Sequence, residues 1–127
     1  MNHAFSVLPQ SFVIAQLERD ADLPNEVLAS PGFMSITRTD DELSIVCAEG
    51  AATGLARVDS DWRAIKVQGL FAFDQTGVLA SLLDPLAAAA IGIFAVSTFD
   101  TDYILVKSMN LENAVQVLKD AGHRLLD

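Results

Sequence analysis

The 127-residue sequence predicts an α+β fold made of two successive units, each an antiparallel sheet with helices on one face and the first unit degenerate. Three observations predict it. The second half alternates β-branched runs with helical apolar spacing in the order βαββαβ. Two hairpin-like stretches, one in each half, resemble one another. Hydrophobic residues make up 51% of the chain, which is ample for a packed core. The expected division places a degenerate N-terminal unit at 1–60 and a full unit at 61–127.

The elements of the second half follow from their periods. In "WRAIKVQGL", residues 62–70, Trp62, Ala64, Ile65, Val67 and Leu70 are mixed with polar residues, as in a strand covered on at least one face. In "FAFDQTGVLASLLDPLAAAA" the period changes: Val78, Leu79, Leu82, Leu83 and Leu86 recur at helical spacing. Asp74 or Thr76 is available there as N-cap, and Pro85 is expected to kink the helix or end its first segment. "IGIFAVSTF" and "YILVKS" are rich in β-branched and aromatic residues around a short polar insert, which predicts an antiparallel hairpin. Asn110 can then cap a helix carrying Leu111, Ala114, Val115 and Leu118, and Gly122 stands where a C-terminal cap is expected. "HRLL" completes the order as a last short strand. A four-stranded antiparallel sheet with two helices on one face, the ferredoxin-like arrangement, has this order.

The first half repeats part of the pattern. Laid without gaps over "FAVSTFDTDYILVKS", residues 94–108, the stretch "FMSITRTDDELSIVC", residues 33–47, matches Phe33 with Phe94, Thr37 with Thr98 and Asp41 with Asp102. Apolar positions match as well, Leu43 with Ile104 and Ile45 with Val106. Ahead of this hairpin, "SFVIAQL" reads as a strand and "LPNEVLAS" as barely two helical turns. Behind it, "EGAATGLARV" is too short and glycine-rich for a full helix.

Charge narrows the partners. The formal net charge is −9, with −7 carried by residues 1–61 and −2 by residues 62–127. Such a chain repels phosphate backbones and anionic membrane surfaces, so neither nucleic acid nor membrane is an expected partner. The longest apolar stretch, residues 86–96, is about half of what a bilayer span needs, and no Lys or Arg lies in the first eighteen residues. A soluble, cytoplasmic protein is expected. Cys47 sits alone in an apolar run, which reads as core rather than as a zinc ligand or nucleophile.

The run "TGVLASLLDPLAAAAIGIFAVSTFDTDYILVK", residues 76–107, resembles the ACT domain superfamily, and more narrowly the small tandem ACT proteins related to CASTOR-type arginine sensors and to the regulatory part of aspartate kinases. The likeness continues more loosely through "WRAIKVQG", "GFMSITRTDDELSIV" and "NLENAVQVLKDAGHRL", while the first ten residues have no counterpart. The resemblance implies a non-catalytic regulatory module that needs no cofactor and binds an amino acid between two ACT units. It implies a homodimer or higher homo-oligomer whose partner is a regulated enzyme. Carried onto this chain, one side of the ligand site is Gly92, Ile93 and Phe94, and the facing side comes from a second copy, because only the C-terminal half keeps both parts intact. The other is Phe73, Asp74, Gln75, Thr76, Gly77 and Val78 with Thr98, Phe99, Asp100 and Asp102.

The residues support such a site on physical grounds. A helix starting near Gly77 leaves up to four peptide N–H groups unpaired, with roughly half a positive charge, which suits a carboxylate. Asp74, Asp100 and Asp102 at the same end of the sheet suit an ammonium or guanidinium. Each has a plainer role open to it, Asp74 as a helix cap and Asp100 as a turn residue. A catalytic carboxylate pair is disfavoured because Asp100 and Asp102 share one short solvated turn. A pure interaction module without a small ligand is the other reading that stays open.

Overall fold

In chain order the elements are β1 (Ala4–Leu17), α1 (Asn25–Leu28), β2 (Ser35–Arg38), β3 (Leu43–Ala48), β4 (Val58–Val67), α2 (Val78–Ala88), β5 (Phe94–Ser97), β6 (Asp102–Lys107), α3 (Leu111–Asp120) and β7 (Arg124–Leu125). The computed structural model describes residues 2–69, 71 and 75–126. They form two compact units, Met1–Pro9 with Arg63–Asp127, and Gln10–Trp62. The first strand thus contributes its opening residues to one unit and the rest to the other.

In the larger unit the strands run in the order β7-β1-β4-β6-β5. Four strands are expected there and five are found, because the N-terminal segment inserts between β7 and β4. Its pairing with β7 is parallel, Ala4 opposite Arg124 and Phe5 opposite Leu125, so the sheet is not antiparallel throughout. The insertion places Phe5, wholly buried, in the core with Ile65, Val67, Ile104 and Val106. Covering these are Val78, Leu82 and Leu86 of α2, one turn apart on one face, and Ala114 and Leu118 of α3.

Helix ends depart from expectation in instructive ways. Gly77 is the N-cap of α2, in the left-handed region at φ 78°, and no side chain caps there. Thr76 therefore does not cap, and Asp74 lies outside the described residues. Pro85 does not end α2, which continues to Ala88. Lacking an N–H, Pro85 cannot bond the carbonyl four residues back, that of Ser81; the His123 ring takes it instead, with Nε2 at 2.9 Å. Asn110 stands before α3 but makes no side-chain cap, because a 3₁₀ turn, Ser108–Asn110, leads the chain in already helical.

Both long helices end on the same motif. At α3, Gly122 N–H donates to the Lys119 carbonyl and His123 N–H to that of Leu118. At α2, Ala90 and Ile91 make the equivalent bonds to Ala87 and Leu86. Gly122 meets the left-handed requirement freely at φ 100°, whereas Ala90 is held at φ 58° with a Cβ.

The smaller unit is the degenerate one. Its strands run β2-β3-β1-β4, with β3 antiparallel to both neighbours. Val13, Ala15, Ile45 and Cys47 form a core capped by Val27 of α1, a helix of 4 residues against the 11 of α2. A 3₁₀ turn, Glu49–Ala51, follows β3 where the larger unit goes on into a full helix. Burial pushes the Cys47 thiol up, in keeping with its place in the core.

The two hairpins correspond, but not in the register expected from the sequence. Arg38 pairs with Leu43 and Ser97 with Asp102 at the ends of their ladders, so Arg38 is equivalent to Ser97 and Leu43 to Asp102. The true matches are Thr39 with Thr98, Asp41 with Asp100 and Ile45 with Ile104, two residues away from the gapless match. A slip of two keeps every side chain on its face, so the apolar pattern could not detect it.

Candidate functional site

The site is built on the loop between β5 and β6, which fastens itself locally. Thr98 N–H donates to the Thr101 carbonyl at 2.8 Å, and the Thr98 hydroxyl both donates to that carbonyl (3.1 Å) and accepts the Thr101 N–H (3.3 Å). Thr101 is itself buried, its hydroxyl donating to the Val67 carbonyl of β4 at 2.5 Å. From the connection after β4, Phe71 N–H donates to the Asp100 carbonyl at 3.0 Å. The Ser97 hydroxyl donates to Asp102 Oδ1 at 2.5 Å, fixing the direction of that carboxylate.

Against this loop stands the start of α2. Its first i to i−4 bond runs from Ser81 N–H to the Gly77 carbonyl at 3.0 Å, so the N–H groups of Val78, Leu79 and Ala80 have no helical acceptor. Together loop and helix start enclose a cleft of about 260 Å³, lined by Phe71, Gln75, Gly77, Val78, Leu79 and Ala80 on one side and residues 97–102 on the other. Among the described residues no Lys or Arg lines it. Its positive potential comes from peptide groups and its negative potential from Asp100 and Asp102. A second depression of about 300 Å³ on the same loop is lined by Lys66, Gln68, Gly69 and Tyr103 with Thr98, Asp100 and Thr101. Among the described residues no three His, Cys, Asp or Glu side chains converge as metal ligands, and no helix is long and apolar enough to cross a membrane.

The cleft gathers Gln75, Gly77, Val78, Thr98, Phe99, Asp100 and Asp102 of the expected residues. Thr76 is exposed and off its wall. Phe73 and Asp74 lie outside the described residues. Gly92, Ile93 and Phe94 do not line it, since Phe94 opens β5 and the cleft lies at the closing end, Ser97. Phe71, Ser97 and Thr101 were not anticipated. Thr101 stood between the two aspartates and could have been read as the loop's anchor; nothing in sequence marked Phe71.

Comparison with known proteins places this geometry. A family model described as the ACT domain matches residues 57–120, half of the chain, and a second, describing an N-terminal domain, matches residues 10–52. A solved protein of Agrobacterium tumefaciens is 46% identical, with a TM-score of 0.92 over 99% of this chain and 93% of that one. The human cytosolic arginine sensor for mTORC1 subunit 1 is 36% identical over 59 residues, 46% of this chain but 18% of the sensor, so the chain spans under a fifth of that relative. The regulatory subunit of aspartate kinase from Thermus thermophilus shares the fold alone, with a TM-score of 0.63 at 10% identity over 93% of this chain and 96% of that subunit. The family model matched over half the sequence leads to one conclusion: the chain belongs to the ACT domain family.

Proposed function

We propose that the protein is a cytoplasmic, non-catalytic regulatory module that binds an amino acid in the cleft beside α2 and reports its occupancy to a partner enzyme. The observation that carries this is the facing of unlike charges across one cleft: the N–H groups of Val78, Leu79 and Ala80 opposite Asp100 and Asp102. A zwitterion satisfies both, its carboxylate at the helix start and its ammonium or a cationic side chain at the carboxylates. Relatives named as arginine sensors and as aspartate kinase regulatory subunits support the reading. A volume of about 260 Å³ is on the small side for a ligand site, ordinarily about 300–1,000 Å³. Half of the site is therefore assigned to a second copy of the chain, whose Gly92, Ile93 and Phe94 would close it. The tandem division at 1–60 and 61–127 belongs to the same proposal, with the first nine residues lent to the second unit: the second unit binds and the first keeps only the short α1.

Thermal denaturation against each of the twenty amino acids tests it. One with a cationic side chain should raise the melting temperature by several degrees, as binding to the folded state alone requires. Asp102→Asn should then weaken binding about ten- to a hundredfold, the loss of one charge-assisted hydrogen bond. Unchanged affinity would remove this residue from the site. Phe99, 78% exposed at the mouth, favours a second reading as a pure interaction module. No shift with any amino acid, together with a dimer in solution that Phe99→Ser dissociates, would establish that reading instead.

A further inference from the structure

The opening strand is pinned by a histidine pair. His3 N–H donates to Nδ1 of His123 at 3.0 Å, and Nε2 of His123 contacts the Ser81 carbonyl at 2.9 Å. With Nδ1 accepting, the proton of a neutral His123 belongs on Nε2, where the carbonyl freed by Pro85 receives it. The far end of the chain is therefore not loose: Arg124 N–H donates to the His3 carbonyl and Leu126 N–H to that of Phe5. The two imidazoles stack at 5.9 Å and 13°, and the His3 ring also meets Phe71 edge to face at 5.6 Å and 87°. Phe71 in turn lines the cleft and holds the Asp100 carbonyl. A continuous set of contacts thus leads from the end of α3 through His123, His3 and Phe71 to the binding loop.

This arrangement tolerates only neutral rings. A proton on His123 Nδ1 would set two donors against each other and break the bond to His3. His3 Nε2 is buried without a hydrogen-bond partner, so a cation there has no acceptor. The groups facing the pair are the other imidazole, the Ser81 carbonyl from α2 and the Phe71 ring. Among the described residues no carboxylate is hydrogen-bonded to either ring. Burial first, then His123 and the amino terminus, hold His3 below the ordinary histidine value of 6.5. The folded state therefore binds fewer protons than the unfolded one below that value. The stability from this contact is full above it and is lost as pH falls toward the folded value.

We propose that His3 and His123 form a proton-operated latch on the cleft. With both rings neutral the latch holds Phe71 in the cleft wall; proton uptake from solvent frees the first residues and lets Phe71 move. As regulation of ligand binding it rests on the function proposed above, but the latch itself is read without ligand. In the full-length protein with ring-labelled His and Phe, nuclear magnetic resonance from about pH 8 to about pH 5 should show the Phe71 signals shifting with the His3 titration. Exchange protection of the Arg124 and Leu126 amides, corrected for intrinsic rate, should fall about tenfold over the same range. His3→Phe keeps the ring contacts and the backbone N–H on His123 while removing the His3 proton, and should flatten the Phe71 curve. Phe71 signals indifferent to pH in the unaltered protein, or equally responsive in His3→Phe, would overturn the latch. Failure of L-arginine or any other amino acid to bind would strike only the function proposed for the cleft. Binding at pH 8 with unresponsive Phe71 would strike only the latch.

Discussion

In the unit of residues 10–62 the β2–β3 loop closes with Thr39 N–H on the Glu42 carbonyl at 2.9 Å, and in the larger unit the β5–β6 loop closes with Thr98 N–H on that of Thr101 at 2.8 Å. In each loop the threonine hydroxyl bonds back to peptide groups two or three residues on. What surrounds the loops differs. Asp100 faces a helix start whose first N–H groups, with no acceptor inside α2, supply positive potential. Asp41 borders an open depression of about 530 Å³ with Gln16, Gly54 and Arg57, where the cation is a side chain, the Arg57 Nη1 donating to Gln16 Oε1 at 2.7 Å. The turn itself is thus closed by its own threonine, and the electrostatics of a cleft come from the element packed beside it.

That contrast can be tested from the core outward. Ile104 and Ile45 are equivalent and both wholly buried, one beneath two full helices and the other beneath a single turn. Ile104→Ala should destabilise by the upper part of about 2–5 kcal/mol and Ile45→Ala by the lower part, because the thinner cover can collapse into the cavity. Urea denaturation measures both, and equal losses would mean that the short unit is as rigidly packed as the long one.

The two helix ends sharpen the same comparison at smaller scale. Gly122→Ala should cost about 1–2 kcal/mol at its left-handed position, and its new Cβ would also fall 2.7 Å from Asn2 Oδ1, displacing that side chain. Ala90→Gly should move the other way, a gain of about 0.5–1 kcal/mol, by relieving the same conformation. A loss from Ala90→Gly would show that the Ala90 methyl packs more than its backbone strains. Smallest of all, Thr98→Val and Thr39→Val should each cost about 1 kcal/mol, the worth of the lost loop bonds. A much larger cost at Thr98 would mean that its loop depends on the larger unit after all.

Much of this organisation was legible beforehand. Val78, Leu82 and Leu86 announced α2, Gly122 its expected cap at α3, and the glycine-rich stretch behind β3 the missing second helix of the first unit. The cleft was legible as far as it depends on local turns, in Gly77, Thr98, Asp100 and Asp102. Gly92, Ile93 and Phe94 were placed beside it through the resemblance, and within one chain they lie at the other end of β5. The strand of the first residues was obscured by Pro9 and by its polar neighbours Ser6 and Gln10.

The amino-acid sequence by itself determined which segments are strands and which are helices, because side-chain period is a local property of the backbone. Only the tertiary structure decided which strands lie side by side, that β7 runs parallel to the inserted first strand, and which residues of the two hairpins are equivalent. A period of two names the face that a side chain occupies but neither its neighbour nor its register, and both are settled by packing among residues far apart in the chain.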